Sequence, residues 1–207
     1  MYLRQSPLAH LGLDSRADAG RGDAGVVMSE QPYRGIVGIR AKPGNAAVMA
    51  AIEAALGMAL PQTPNTTAAS AGALALWLGP DEWWIVTPGP APESGPAMAA
   101  ALRTATGMPG AVTDVSESRT CVRVSGPRAR DLLCKGLPLD LHPRAFPVGG
   151  CAQSHLAKTG VLLHLVADAG GSDGPTFELY VLRSFAEYLW LWLEDAAREY
   201  GLAIAPS

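Results

Sequence analysis

Residues Gly79–Gly89, with the sequence GPDEWWIVTPG, place two tryptophans side by side between a Gly-Pro turn and a Thr-Pro break. Side chains that are neighbours in a strand point to opposite faces of the sheet. Trp83 and Trp84 must therefore lie on different faces. A sheet with one face exposed to solvent does not need a large aromatic side chain on both faces. Either both faces are covered, or one of them contacts a ligand, a cofactor or another protein chain.

A second stretch of the chain repeats this pattern. The segment GPDEWWIVTP from Gly79 aligns without a gap with GPTFELYVLR from Gly174, and Glu178 and Leu179 then take the places of the two tryptophans. Each segment reads as a Gly-Pro turn and a strand, with a long helix after it. The order of elements is shared between the two halves. We therefore predict an α+β fold with two duplicated units, each a small antiparallel sheet with helices packed on it, of ferredoxin-like type.

The predicted boundaries follow from changes in composition along the chain. Residues 1–32 are rich in Gly, Asp and Arg and show no periodicity, so we expect a poorly ordered N-terminal segment. We expect the first α+β unit over residues 33–110 and the second over residues 111–207. Within the first unit, one tryptophan should lie under the Met98–Leu102 helix. The other should lie against the sister unit or a partner chain.

Composition excludes several classes of partner. Of the 207 residues, 48% are hydrophobic and 17% are charged, and the net charge is −3 without a basic run, so we expect no nucleic acid partner. No apolar run approaches the roughly 18 residues of a membrane span. Three cysteines without CxxC spacing indicate reduced thiols in a cytoplasmic protein. A chain this poor in charge is typical of proteins that bury surface in a complex.

The sequence contains no strong catalytic, cofactor or metal motif. Its histidines lack the spacing of zinc ligands, and GxSxG, P-loop and GxGxxG motifs are missing. Cys151 and His155 would stand roughly 13 Å apart along a strand, too far for a thiolate–imidazole pair. We therefore assign no catalytic, cofactor-binding or metal-ligating residue.

Two features remain as candidate sites. The segment TDVSESRT clusters Asp114, Glu117 and Arg119 before a strand, where they could hold a polar ligand or simply solvate a loop. The C-terminal helix has an expected core stripe, which leaves Trp190 and Leu191 outside it. That stripe consists of Phe185, Tyr188, Leu189, Trp192 and Ala196. Since aromatic residues are enriched in the buried centres of interfaces, the candidate subunit interface comprises Trp83, Trp84, Trp190 and Leu191.

The chain as a whole resembles the gamma subunit of heterotetrameric sarcosine oxidase. The resemblance rests on ordered segments that span most of residues 26–200, and LWLGPDEWWIVTP is the most typical of them. The others are SPLAHL, VVMSEQPYRGIVGIRAKPG and the run from TDVSESR to KTGVLL. This family is similar in turn to the folate-binding aminomethyltransferase of the glycine cleavage system, through DVSESRTCVRVSGPRARDLL. The transferases carry an acidic pair after a glycine turn, whereas Gly160 is followed here by Val-Leu-Leu-His.

The resemblance implies a division of labour among subunits. The complex would oxidise sarcosine to glycine and pass the one-carbon unit to tetrahydrofolate. Its larger subunits would hold FAD, FMN and NAD and bind tetrahydrofolate, and the smallest would hold zinc. The gamma chain would hold no cofactor and would dock to the alpha subunit, with beta and delta completing the assembly. It would thus be a non-catalytic structural subunit of a flavin-dependent oxidoreductase.

Two other functions stay open at this point. A stand-alone folate-dependent one-carbon transferase is suggested by TDVSESR, while TGVLLHL, which lacks a carboxylate, argues against it. A small-molecule-sensing module of ferredoxin-like type is the other, with ligand bound at a dimer interface.

Overall fold

A computed structural model describes residues 4–17, 22–89, 91, 93–171 and 173–206. The chain divides into two compact units. The central unit is Tyr33–Ser118, and the terminal unit combines the residues up to Pro32 with those from Arg119 onward. No helix in the described part of the chain is long and apolar enough to cross a membrane.

Both units contain strands and helices. The strands are β1 (Val26–Gln31), β2 (Ile36–Arg40), β3 (Thr67–Ala69), β4 (Leu74–Gly79), β5 (Glu82–Val86), β6 (Val112–Asp114), β7 (Arg119–Ser125), β8 (Cys151–Leu156), β9 (Thr159–Asp168), β10 (Pro175–Leu182) and β11 (Leu202–Ile204). The helices are α1 (Leu13–Arg16), α2 (Ala46–Leu56), α3 (Ser94–Thr106), α4 (Ala129–Cys134) and α5 (Ala186–Ala197).

The central unit is a β-α-β-β-α-β fold with one added edge strand. Its sheet has the order β3-β4-β5-β2-β6, with every pair antiparallel. Helix α2 begins after Asn45, whose side-chain oxygen accepts a hydrogen bond from the Val48 amide. It ends at Gly57, which adopts the left-handed conformation that stops helices. Residues from α2 and α3 join one face of the sheet in a single apolar core.

The terminal unit repeats this order of strands. Its sheet reads β8-β9-β10-β7-β1-β11, so β8, β9, β10, β7 and β11 correspond in position to β3, β4, β5, β2 and β6 of the central unit. Helices α4 and α5 lie between the same strands in the chain as α2 and α3. This shared topology confirms the predicted α+β class with duplicated ferredoxin-like units. The difference is β1, which is inserted between β7 and β11.

That inserted strand overturns the expectation of a poorly ordered N-terminal segment for the described residues. Strand β1 pairs antiparallel with β7 and parallel with β11, and Leu8 and Leu13 lie in the core of the terminal unit. Local composition could not show this, because β1 is stabilised by partners about 95 and 175 residues away along the chain. Part of the Gly-Asp-Arg-rich stretch, residues 18–21, lies outside the described residues.

The boundary between the units also differs from the prediction. Residues 111–118 belong to the central unit, because β6 pairs with β2 and completes its sheet. The chain enters the terminal unit at Arg119 rather than at residue 111. The segment Pro109–Ala111 forms a turn that leads into β6, the last strand of the central unit.

The gapless alignment of the two hairpins pairs residues on opposite faces. Trp83 lies in the core of the central unit. Its aligned partner Glu178 does not belong to the core of the terminal unit, whereas the next residue, Leu179, does. Because strand side chains alternate, a shift of one residue exchanges the faces. The duplication thus holds for the order of elements but not for this residue-by-residue alignment.

Candidate functional site

Trp83 is a core residue of the central unit. Its side chain is fully buried and belongs to the same cluster as Ala99 and Leu102 of α3, as the alternation along β5 indicates. The indole Nε1 donates a hydrogen bond of 2.8 Å to the carbonyl of Pro61, so the ring buries no unpaired polar atom. Trp83 has no exposed surface for a partner, and its assignment to an interface is corrected.

Trp84 lies on the other face of the same sheet, where it lines an open groove. The groove has a volume of about 180 Å³ and is formed by residues of the central unit, among them Gly38, Trp84 and Thr113. Gly38 pairs with both other residues across the sheet. Its missing side chain creates the space, since a Cβ placed there would be 3.8 Å from the Thr113 carbonyl and 3.9 Å from Trp84 Cδ1.

An ion pair borders this groove. Arg40 Nη2 donates to Glu82 Oε2 at 2.8 Å, and the two residues are cross-strand neighbours on β2 and β5. The pair raises the pKa of Arg40, mainly through the hydrogen bond to Glu82. The groove therefore combines an aromatic wall with a charged border.

The C-terminal helix buries a different stripe from the one predicted. Its core positions are one residue later, and Trp190 is fully buried among them, with Nε1 donating to Glu194 Oε2 at 2.9 Å. The buried residues are Ala186, Leu189, Trp190, Leu193 and Ala197. Both stripes have the spacing of an amphipathic helix, so only the contact with the sheet decides between them. Trp190, like Trp83, is not available to a partner.

Four large apolar residues at three-residue spacing in the sequence, from the end of β10 into α5, are exposed, and we call them the outer row. Leu182, Phe185, Tyr188 and Leu191 are 40%, 44%, 37% and 48% exposed. Leu191 was predicted as an interface residue, whereas Phe185 and Tyr188 were predicted as core. Apolar side chains that form a contiguous exposed patch mark interaction surfaces.

The TDVSESR loop is held by internal contacts of the central unit. Asp114 Oδ1 accepts hydrogen bonds from the amide of Ser116 at 3.0 Å and from its hydroxyl at 2.5 Å. The Ser116 hydroxyl oxygen in turn accepts from the Ile36 amide at 2.9 Å. Asp114 thus acts as a turn-forming residue, which fits the loop interpretation rather than ligand binding.

The other two members of the predicted cluster lie elsewhere. Glu117 is exposed, and Arg119 begins β7 in the terminal unit. Burial lowers the pKa of Arg119. The three residues are neighbours in sequence, but they do not belong to one unit.

A buried polar cluster in the terminal unit was not predicted. Arg123, Glu178 and His164 are direct cross-strand neighbours on β7, β10 and β9. Arg123 Nη2 and the Tyr180 hydroxyl donate to the two carboxylate oxygens of Glu178, at 2.6 and 2.8 Å. His164 Nδ1 lies 3.9 Å from Glu178 Oε2 and is buried, with no hydrogen-bond partner among the residues that the structure describes. The signal for this cluster in the sequence is Glu178, the charged residue within the strand segment FELYV. Glu178 lies on the same face of the sheet as its cross-strand neighbours Arg123 and His164.

A second buried carboxylate lies on β1. Glu30 is 3% exposed and accepts hydrogen bonds from the hydroxyls of Ser6 and Thr120. Burial raises the pKa of Glu30, while these hydrogen bonds and the charge of Arg183 partly oppose the rise. The proton is therefore held more tightly in the folded than in the unfolded chain.

This raised pKa gives stability a definite pH dependence. The contribution of Glu30 is fully present below its unfolded pKa and is lost as the pH rises through the folded pKa. We expect the free energy of unfolding of the wild type, relative to Glu30→Gln, to fall as the pH rises above the ordinary pKa of a glutamate, about 4.3. Urea unfolding at several pH values measures this difference. Glu53→Gln, which changes an exposed carboxylate on α2, is the control, and a difference that stays constant with pH for Glu30→Gln would contradict the prediction.

The fold and the site can now be compared with known proteins. The structure superposes on glycine cleavage system aminomethyltransferase T from Bartonella henselae with a TM-score of 0.68 at 14% identity, covering 99% of this chain and 60% of that one. This shows the fold alone: two related α+β units of the aminomethyltransferase type.

Closer matches define the family. The family model "Sarcosine oxidase, gamma subunit family" matches residues 40–199. The gamma subunits from Corynebacterium sp. (strain U-96) and Arthrobacter sp. are 36% and 40% identical over 203 residues each, 97% and 96% of this chain and 93% and 92% of theirs. The heterotetrameric sarcosine oxidase from Corynebacterium sp. U-96, in complex with pyrrole 2-carboxylate, matches with a TM-score of 0.80 at 34% identity, covering 98% of both chains. The chain belongs to the sarcosine oxidase gamma subunit family.

Proposed function

We propose that the chain is a non-catalytic structural subunit of a heterotetrameric sarcosine oxidase. In this complex, sarcosine is oxidised to glycine and the one-carbon unit passes to tetrahydrofolate. The observation that carries the proposal is the outer row, which exposes four large apolar side chains in a chain whose relatives include a subunit of a heterotetramer. A partner subunit would cover these side chains and gain the free energy of burying them.

The composition of the outer row suits a subunit contact. Phe185 and Tyr188 supply large rigid contact area at low entropic cost, and Leu182 and Leu191 add apolar area. Polar side chains lie beside the row: Glu187 precedes Tyr188 in the chain, and its exposed Oε1 lies 3.3 Å from His10 Nε2. An apolar centre with a polar border is the usual anatomy of a protein interface.

The buried acids support a role without catalysis. A general acid or base must come within hydrogen-bond reach of the substrate proton. Glu178 and Glu30 are 2% and 3% exposed, and both carboxylates already accept hydrogen bonds from their own unit. Both groups are therefore poorly placed to meet a substrate that arrives from solvent.

The other subunits supply the chemistry in this proposal. The alpha subunit is the direct contact, and the beta and delta subunits complete the tetramer. FAD, FMN, NAD, zinc and tetrahydrofolate are held by those chains. The function of this chain is to stabilise the large subunit in its assembled form.

Leu191→Asp tests this assignment. The substitution places a charge in the outer row, and we expect it to weaken assembly about 30-fold, the size of a hot-spot loss near 2 kcal/mol. The free energy of unfolding of the chain should change by only about 0.5 kcal/mol, because the side chain is exposed. The chain is co-expressed with tagged alpha, beta and delta subunits, and its recovery with alpha is measured together with sarcosine-dependent oxygen consumption.

Val148→Asp is the matched control. It changes another exposed apolar residue of the terminal unit, outside the outer row, and should leave assembly intact. Equal loss in both variants would assign the effect to general insolubility. An active complex that forms equally well without this chain would refute the proposed function itself.

A further inference from the structure

Part of the N-terminal segment lies along the C-terminal helix of the terminal unit, and we call residues 5–16 the strap. Polar contacts join its beginning, middle and end to successive positions of α5 and of the turn before it. These contacts are Gln5–Arg183, His10–Glu187 and Arg16–Glu194. The first and the last have the same sequence separation, 178 residues. The strap and the helix therefore advance together in one direction.

The strap is shortened to match the helix. Extended chain rises roughly 3.4 Å per residue and an α-helix only about 1.5 Å, so an extended strap would overrun α5 about twofold. A 3-10 turn at Ala9–Leu11 and the short helix α1 compact the strap. Between them Gly12, with a φ of +60°, allows the chain to change direction.

The strap is also fixed to the rest of the terminal unit. Leu8 and Leu13 are buried in the same core cluster as the buried stripe of α5. At its beginning, the Ser6 hydroxyl accepts from the Leu8 amide at 3.0 Å and donates to Glu30 Oε2 on β1. Because the strap is held by the core and by β1, it provides a fixed surface against which α5 is positioned.

The polar contacts constrain the rotation of α5 about its own axis. Glu187 and Glu194 are about two turns apart and therefore lie on one side of the helix. Glu194 also accepts from the indole Nε1 of Trp190 at 2.9 Å, so one carboxylate joins the strap to a buried ring of the core stripe. Hydrogen bonds are directional, whereas apolar burial is not. The strap thus favours the one rotation in which the outer row stays exposed.

We propose that the strap is a positioning element for the partner-binding surface, and that it holds α5 in the orientation that presents the outer row to a partner subunit. This inference rests on the proposed function and deepens it. The strap acts through α5, so loosening the strap weakens assembly even though every side chain of the outer row is still present.

Leu8→Ala tests the inference, because it loosens the strap and leaves the sequence of α5 unchanged. Wild-type and variant chains with different tags are co-expressed with the alpha, beta and delta subunits. Their ratio on the purified alpha subunit is divided by their ratio in the soluble extract. We expect this quotient to fall about tenfold for the variant, less than for Leu191→Asp, which changes the outer row itself.

Leu165→Ala is the matched control. It makes the same change at a fully buried leucine of the same core cluster. Leu165 pairs with Phe177 near the start of β10, whereas Arg183, a strap contact, follows the end of that strand. Both variants should lose stability, but Leu165→Ala should assemble within about twofold of the wild type when it is tested well below its melting temperature. Equal assembly losses in the two variants would make the strap an ordinary part of the core and overturn the inference.

Hydrogen exchange gives a second readout that separates positioning from stability. The amides of α5 should exchange faster in Leu8→Ala than in Leu165→Ala at equal global stability, because local opening depends on the contacts of that helix. Unchanged protection of α5 in Leu8→Ala would contradict the inference.

A further variant keeps the test decisive if Leu8→Ala does not fold. Ser6→Ala combined with Arg16→Gln removes polar contacts at both ends of the strap. Neither residue belongs to the buried core, so the chain should fold. We expect a fall in assembly of about threefold that shrinks as salt is added, since the Arg16–Glu194 pair is partly exposed.

The outcomes separate this inference from the proposed function. Normal assembly of the folded strap variants, together with loss in Leu191→Asp, overturns the role of the strap and leaves the structural role of the chain standing. A tetramer that forms equally well without the chain removes the proposed function, and the inference about the strap with it.

Discussion

Gly174→Ala is expected to destabilise the terminal unit by roughly 2–5 kcal/mol, whereas Gly171→Ala should cost roughly 1–2 kcal/mol. Both glycines have a φ of +57°, so the left-handed backbone conformation costs alanine the same free energy at each position. They differ in their surroundings. A Cβ at Gly174 would lie 2.4 Å from the carbonyl carbon and oxygen of Gly126, while a Cβ at Gly171 meets no atom of the described residues within 4 Å.

The clash at Gly174 involves backbone, which cannot move aside without shifting a strand. Gly126 follows β7, Gly174 precedes β10, and the amide of Gly126 donates to the carbonyl of Pro175 at 3.3 Å. Moving either segment would disturb the longest ladders of the sheet. Thermal and urea unfolding of the two variants measure the difference directly. Equal melting temperatures for Gly174→Ala and Gly171→Ala would show that the close approach of Gly174 to the Gly126 backbone has no effect on stability.

The second large effect separates the two adjacent tryptophans. Trp83→Ala should reduce the free energy of unfolding by about 3–5 kcal/mol, as expected for removing a fully buried aromatic ring. The hydrogen bond from its indole to Pro61 is lost as well. Trp84→Ala should cost clearly less stability, since its ring is half-buried and faces the groove.

For assembly with the partner subunits, substitution of Trp84 should have a larger effect than substitution of Trp83. Trp84→Ala removes the wall of the groove and should weaken binding to the partner subunits, while a Trp83→Phe variant that still folds should assemble normally. Trp83→Phe keeps a ring in the core and loses only part of its volume and the hydrogen bond to Pro61. Stability is followed by urea unfolding, and assembly by recovery with the tagged alpha subunit. Similar losses of stability in Trp83→Ala and Trp84→Ala would contradict the division of roles.

Much of the fold follows from local patterns in the sequence. The Gly-Pro turns and alternating strands at Gly79 and Gly174 predict the two hairpins, and both are present as β4–β5 and β9–β10. Helical spacing with terminal glycines predicts α2 and α3, which end at Gly57 and Gly107. These signals depend on residues close together in the chain, so a single sequence contains them.

The candidate site was predicted less well, for a specific reason. Tryptophans were assigned to an interface from their surplus, yet Trp83 and Trp190 are both buried within their own units. Residue type cannot distinguish a ring that fills a core from one that contacts a partner, since both uses favour the same side chain. The groove depends on Gly38, whose role is visible only when Trp84 and Thr113 lie on either side of it.

By itself, the sequence determined the α+β class, the duplication, the two hairpins and the resemblance to the sarcosine oxidase gamma subunit. Tertiary structure alone decided three further points. It placed β1 between β7 and β11, buried the stripe of α5 that contains Trp190, and put Trp84 rather than Trp83 beside open space. A periodic pattern allows more than one face or partner for each element. Packing between residues far apart in the chain selects one of them, because only that arrangement buries the apolar surface and pairs the backbone.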